Sequence, residues 1–378
     1  MRASVTEQEL QRLADAGVYD PAAIDAGEQR RLLEQLVAQG LTVDELATAH
    51  RLGAIVLRAF EHLLLPGERT TLAEVVAATG LTAEQVIAIR RGWGLPDAPA
   101  DRPCFTPDEI AALRYVQGLA GFVGPDLAMH VARVMGTAMS RLAEAEIALL
   151  RSRLEAPRLD RRESGASILG AYANVLGAFL PAGLRTLDLL HRAHLVAIGR
   201  RYSEWAQPPS ENNVVDMVVG FADLADSTLL VQRTDLAGLD RALTAFERIT
   251  SDLLAAAGAW VVKRLGDGVM FVTPRADAAC RVALDLVDAF RDHAIAPPVH
   301  VGLAAGQVAA LRGDFFGPAV HLAARIAAAT PRSAILVSDE VRIRAQGTGA
   351  FAFVAAGAHT LAGFAEPIEL HRLTRSHD

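Results

Sequence analysis

The chain has 378 residues, enough for about two domains with a core each. Its net charge of −7 at pH 7 argues against a polyanion such as DNA as the main partner, yet leaves room for a small phosphorylated ligand, which needs only local positive groups. Cys104 and Cys280 lie far apart, with no CxxC or Cys/His cluster, so no zinc site is offered; with a mixed, charged N-terminus that lacks an apolar signal core, this suits a cytoplasmic location.

The first part of the chain, taken as residues 1–205, reads as all-helical. RRLLEQLVAQG (30–40) has a helical apolar period and ends in Gly. The run 41–64 opens on a Thr–x–x–Glu capping box at Thr42 and Glu45. TLAEVVAATGLTAEQVIAIRRGWGLP (71–96) reads as helix–turn–helix with Gly80 in the turn, the pattern of a DNA-binding regulator. Residues 66–115, however, hold five Arg against seven Asp or Glu, whereas a DNA-reading module is basic, so no nucleic-acid partner is expected. Thr106 is an N-cap with Pro107 at the first helical position. A long helical run over 125–156 follows, and charged residues 158–163 interrupt it. The most apolar stretch, ASILGAYANVLGAFLPAGL (166–184), carries Pro181 and three glycines and reads as a buried helix rather than a membrane span. A linker helix is expected over 183–206, and the polar AQPPSENN (206–213) marks the domain boundary.

From 212 the period changes. VVDMVVGFADL reads as a buried strand and DLAGLDRALTAFERITSDLLAAAG as an amphipathic helix. WVVKRLGDGVMFVT reads as two strands folded around GDG. A helix, the strand VHVGLAAGQVAAL, the helix PAVHLAARIAAAT, the strand AILVSD and two further strands complete residues 212–378. Strand–helix–strand–strand–helix–strand is the ferredoxin-like βαββαβ pattern, so the chain is α+β with an all-helical domain in front.

Of 37 Lys plus Arg, one is lysine: Lys263, four residues before Asp267. A position that needs a compact, flexible ammonium cannot be filled by the planar guanidinium fork. Asp223 ends the first strand and Asp267 sits in the GDG turn. Two carboxylates at the ends of adjacent strands can share hard cations such as Mg²⁺ or Mn²⁺, with substrate phosphates completing the coordination. Asp314 lies just before a helix on which His321 and Arg325, spaced i, i+4, share a face.

FADLADST, KRLGDGVMF, RGDFFGPAVHLAARI and LAGFAEPIELHRL, in that order and spacing, resemble the catalytic domain of class III nucleotidyl cyclases over residues ~212–374. The N-terminal region resembles the autoinhibitory, pH-responsive regulatory domain of some actinobacterial adenylate cyclases. The resemblance implies cyclisation of ATP to 3′,5′-cyclic AMP and pyrophosphate. It implies that Asp223 and Asp267 bind two metal ions, that Lys263 and Asp314 select adenine, and that Arg325 stabilises charge on the α-phosphate. It also implies a homodimer whose active sites are shared between subunits, and regulation by the helical domain, with a proton or a lipid-like molecule as the effector.

Two positions depart from the family. His321 stands where the family has a ribose-holding Asn, and a neutral imidazole can donate one hydrogen bond in its place. Asp226 stands where a Gly approaches the phosphates. Both departures keep open a catalytically silent cyclase-like nucleotide sensor as the rival reading.

Overall fold

The computed structural model describes residues 5–376 apart from 24–25, 39–40, 52–59, 62–63, 66, 100–101, 162, 164, 205–212, 226–229, 231, 233, 312 and 347–348. The chain divides into two compact units, Met1–Ala197 and Ile198–Asp378. The expected boundary segment 206–212 lies outside the described residues.

The first unit is helical among its described residues, with one isolated bridge between Thr70 and Phe105. Helices α1 (Glu7–Asp15), α2 (Ala26–Ala38) and α3 (Val43–Arg51) bury Leu10, Leu13, Leu33, Leu36 and Leu46 in one core. The capping box forms as expected: Thr42 N donates to Glu45 Oε2 at 2.9 Å and Glu45 N to Thr42 Oγ1 at 3.2 Å. The remainder of the 41–64 run falls largely outside the described residues. The helix–turn–helix also forms. Helices α4 (Leu72–Thr79) and α5 (Ala83–Gly92) meet at 100°, and Gly80 ends the first at φ 74°. Arg90 of α5 is only 8% exposed, pairs with Glu109 and lies over the Phe105 ring, so it serves the core of this unit. Helices α6 (Pro107–Val123) and α7 (Pro125–Leu150) follow, then a π turn at Arg151–Glu155 and the short α8 (Ala156–Asp160).

The linker helix is longer than expected. Helix α9 runs over Gly165–Glu204, 40 residues, absorbing the apolar stretch and carrying Pro181 in its interior. A proline there costs about 3 kcal/mol, and the flanking Ala and Leu residues, strong helix formers, carry the helix past it. Only its first turns are buried, at Ile168, Tyr172 and Ala173; from Pro181 to Ala197 every residue except Leu187 is exposed. The stretch 166–184 is therefore not the wholly buried helix its composition suggests. No single helix among the described residues is long and apolar enough to cross a membrane.

The second unit is built on an eight-stranded sheet of β1 (Val214–Leu224), β2 (Trp260–Arg264), β3 (Gly268–Thr273), β4 (Val299–Leu311), β5 (Asp314–Phe316), β6 (Ile335–Ser338), β7 (Phe351–His359) and β8 (Ile368–Arg375). Their order is β2-β3-β1-β4-β6-β8-β7, with β5 paired to β4. With α10 (Leu236–Ala256) and α11 (Ala276–Phe290) as crossovers, β1 to β4 form the βαββαβ core, β1 lying antiparallel between β3 and β4. Both faces of β1 are covered, which is why its sequence is a continuous apolar run rather than an alternation. Val218, Ala222 and Leu224 enter the core beneath α10 and α11, while Met217, Val219 and Phe221 pack with α12 (Pro318–Ala329). Helix α12 lies so close to β4 that a Cβ on Gly302 would stand 2.2 Å from the backbone nitrogen of Ala327. The short β5 and α13 (Asp339–Ala345) are not evident in the sequence pattern; Asp314 thus opens a strand instead of directly preceding α12.

Candidate active site

The β2–β3 hairpin closes through Leu265 N donating to Gly268 O at 2.8 Å, with Gly266 at φ +76° in the first central position that the primed hairpin turns require. This tight turn places Asp267 beside the end of β1, where Leu224 N donates to Asp267 O at 3.0 Å. Asp223 pairs with Gly268 across β1 and β3, so its side chain projects over that glycine. A Cβ at Gly268 would meet Asp223 Oδ1 at 1.8 Å. Gly268 is thus required by the neighbouring carboxylate, not by its own backbone dihedrals. Burial, and then repulsion from Asp267, push the Asp223 carboxyl up to about 6. A buried carboxyl facing a second carboxylate fits a hard divalent cation, which would supply the missing positive charge. No cluster of three or more His, Cys, Asp or Glu suited to a metal occurs among the described residues, so substrate oxygens and water would have to complete the coordination.

Lys263 reaches the same face of the sheet through a register shift. Trp260 pairs with Val272 and Val261 with Phe271, but Lys263 pairs with Met270, leaving Val262 as the extra residue of a bulge. Strict alternation would send Lys263 to the α10 face. The bulge re-aims it to the face that holds Met270 and Trp260. There Lys263 Nζ donates to Asp314 Oδ2 at 2.5 Å, while Asp314 Oδ1 accepts from Phe315 N at 2.8 Å. Arg264, next in line, turns to the opposite face and donates to Ser251 Oγ of α10.

The structure thus brings Asp223 to Asp267 and Lys263 to Asp314. His321 and Arg325 lie one turn apart on α12, both exposed, and no side-chain hydrogen bond or ion pair among the described residues joins them to either pair. Asp226 lies outside the described residues. Sequence reasoning missed the bulge at Val262, the true constraint on Gly268, and His300, which stands opposite Asp223 on β4 and shares its face. It also missed Trp260, whose ring meets Phe315 edge-on at 5.3 Å and 82°. An aromatic three residues before the lone lysine was the available signal.

No family model matches the chain. An uncharacterized protein of Mycobacterium tuberculosis is 36% identical over 374 residues, covering 97% of this chain and 95% of its own. An adenylate cyclase of Streptomyces coelicolor is 32% identical over 283 residues, 73% of this chain and 72% of its own. A pH-sensitive adenylate cyclase of Mycobacterium tuberculosis is 27% identical over 379 residues, 96% of this chain and 94% of its own. Among solved structures, an adenylate cyclase of Trypanosoma brucei covers 45% of this chain and 91% of its own, with 19% identity and a TM-score of 0.40.

Proposed function

The chain belongs to the class III nucleotidyl cyclase family, and from that premise we propose that it is an adenylate cyclase acting as a homodimer with shared active sites. The observation that carries this reading is the Lys263–Asp314 pair at 2.5 Å on the sheet face that also bears Asp223. Adenine presents an acceptor at N1 and a donor at N6, which an ammonium beside a carboxylate reads directly. Guanine reverses both positions. A mismatched base leaves a buried polar group unpaired, costing about 1–3 kcal/mol, or roughly 5- to 150-fold.

In the reaction the ribose 3′-hydroxyl gives up its proton to solvent, its oxygen forms a bond to the α-phosphorus, the bond from that phosphorus to the bridging oxygen breaks, and pyrophosphate leaves. Asp223 and Asp267 would hold two Mg²⁺ or Mn²⁺ ions, whose Lewis acidity would acidify the attacking hydroxyl and offset the charge of the leaving group. Arg325 supplies a fixed positive charge for the α-phosphate oxygens, and His321 donates one hydrogen bond to the ribose. With both aspartates from one subunit and Lys263, Asp314 and Arg325 from the other, catalysis depends on alignment of the two.

Residues 1–205 regulate this activity in our reading. Helix α9 ends at Glu204 and β1 begins at Val214, a spacer too short to act as a free tether. Full-length protein and a 206–378 fragment, compared across pH at equal dimer occupancy, should differ in specific activity or pH profile. Purified full-length protein given ATP and Mn²⁺ should form cyclic AMP, with little cyclic GMP from GTP. Binding of ATP without any product would instead favour a nucleotide sensor.

A further inference from the structure

We propose that Arg201 and Tyr202, in the last turn of α9, are positioning residues for the Lys263–Asp314 pair, acting through a stack that ends on Trp260 and Phe315. The inference rests on the adenine-reading role of that pair. Arg201 holds its guanidinium carbon 4.0 Å from the Trp260 ring centroid. Trp260 in turn meets Phe315 edge-to-face, and Phe315 is only 2% exposed. Trp260 opens β2, three residues before Lys263; Phe315 directly follows Asp314 on β5. The two strand segments carrying the pair are therefore bridged twice, by the ion pair itself and by the two rings beneath it.

Tyr202 reaches the same place by a second route. Its hydroxyl accepts from Asn213 Nδ2 at 3.2 Å, and the same amide donates to Ala310 O at 3.0 Å. Ala310 N returns a bond to Asn213 O at 3.0 Å. Ala310 is the β4 partner of Phe315 in the hairpin that presents Asp314. Asn213 holds φ +46°, a left-handed conformation that asparagine tolerates better than most residues. One helix turn thus grips the lysine strand through Arg201 and the Asp314 hairpin through Tyr202. A basic side chain in a last helical turn has an ordinary role against the helix dipole. That role needs neither an aromatic ring beneath the guanidinium nor a second anchor on the adjacent residue.

A change at the helix end should consequently appear first in nucleotide affinity and base choice. The test uses the full-length dimer with Arg201→Met, Arg201→Lys and Tyr202→Phe. Binding of ATP and GTP, KM and kcat, the Mn²⁺ concentration for half-maximal rate, and thermal midpoint are measured on each. Arg201→Met should raise KM for ATP and lower the ATP-over-GTP preference about three- to tenfold, with the Mn²⁺ requirement unchanged. Arg201→Lys, which keeps a cation over the ring, should recover most of that loss, and Tyr202→Phe should shift the preference the same way by less. An equal loss across kcat, Mn²⁺ requirement and thermal midpoint, with base preference intact, would overturn the inference in favour of a merely structural role. If Arg201→Met misfolds, Tyr202→Phe decides the matter by the same readouts. The wild type is measured first: absence of any ATP-over-GTP preference defeats the adenine-reading role itself and this inference with it, whereas a clear preference that no variant moves defeats this inference alone.

Discussion

The β2–β3 hairpin separates two charged pairs of opposite design. Lys263 and Asp314 neutralise each other at 2.5 Å, and the Asp314 carboxylate gains a backbone donor besides. Asp223 and Asp267, at the turn only a few residues away, repel each other, and Asp223 is pushed up to about 6. The first pair is complete without a ligand, so a nucleotide must exchange one set of hydrogen bonds for another. The second is unbalanced, and in the function proposed above cations would complete it. Proximity in sequence therefore does not make one site of these residues: one pair is suited to discrimination, the other to binding charge.

The sharpest break in that contrast comes from removing a metal-side carboxylate. Asp223→Ala or Asp267→Ala should lower cyclic AMP formation by more than ~1000-fold; activity that survives in either variant with excess chelator would refute the metal assignment. Lys263→Ala should also be inactive. Mixing it with Asp223→Ala should nevertheless restore about a quarter of wild-type activity, because half of the exchanged dimers are mixed and each holds one intact site. No recovery despite demonstrated subunit exchange would rule out sites shared in this way.

Gly268→Ala should come next, lowering activity about 10- to 100-fold by displacing the Asp223 carboxylate while the sheet stays folded. Circular dichroism and a thermal melt check the fold. An unchanged rate would mean that the carboxylate position is not critical.

The raised carboxyl sharpens the comparison through pH. Asp223 in the metal-free fold holds its proton above the ordinary carboxylate range. The contribution of Asp223 to metal-free stability is accordingly full below that range and falls as pH rises from about 4 through about 6. Divalent metal should oppose the fall, and half-saturation should need less Mn²⁺ as pH rises through about 6. Asp223→Asn should flatten the metal-free stability profile and gain on the order of 1–2 kcal/mol at pH 7, a figure discounted for partial exposure. Chemical denaturation at a series of pH values reads this out; a profile identical to wild type would show that the pair is not strained.

The smallest effect concerns the nucleotide side. His321→Asn should leave the rate within about threefold of wild type, or raise it, because an amide can donate the same hydrogen bond. A loss of more than about tenfold would mean that the imidazole does something an amide cannot.

Much of this arrangement was legible in the sequence for definite reasons. The apolar run of β1, the glycine-flanked turn and the amphipathic α10 and α11 are local signals, and they specify the βαββαβ order. Lys263 stood out because it is the one lysine, and Asp223 and Asp267 because one ends a strand run and the other sits in the glycine-flanked turn. What stayed hidden depends on registers between segments. The bulge at Val262 leaves no compositional mark, β5 is three residues long, and Gly268 looks like any turn glycine until Asp223 is placed across from it. Helix α9 was misjudged at its start because the apolar 166–184 and the charged run from 183 read as two helices, whereas one helix runs through both and through Pro181.

The extra residue at Val262 also bears on how such a chain can change over generations. Deleting that one valine would remove the bulge and restore the period of two, with the lysine two residues after Trp260 and still on the face of Met270. The aim of the lysine is lost only when the bulge is ironed out at constant length, which turns the lysine to the α10 side, away from Asp314. A loss of base reading therefore needs no change at any catalytic position, only a neighbouring substitution that favours a regular strand, and a survey of catalytic residues would score that substitution as harmless.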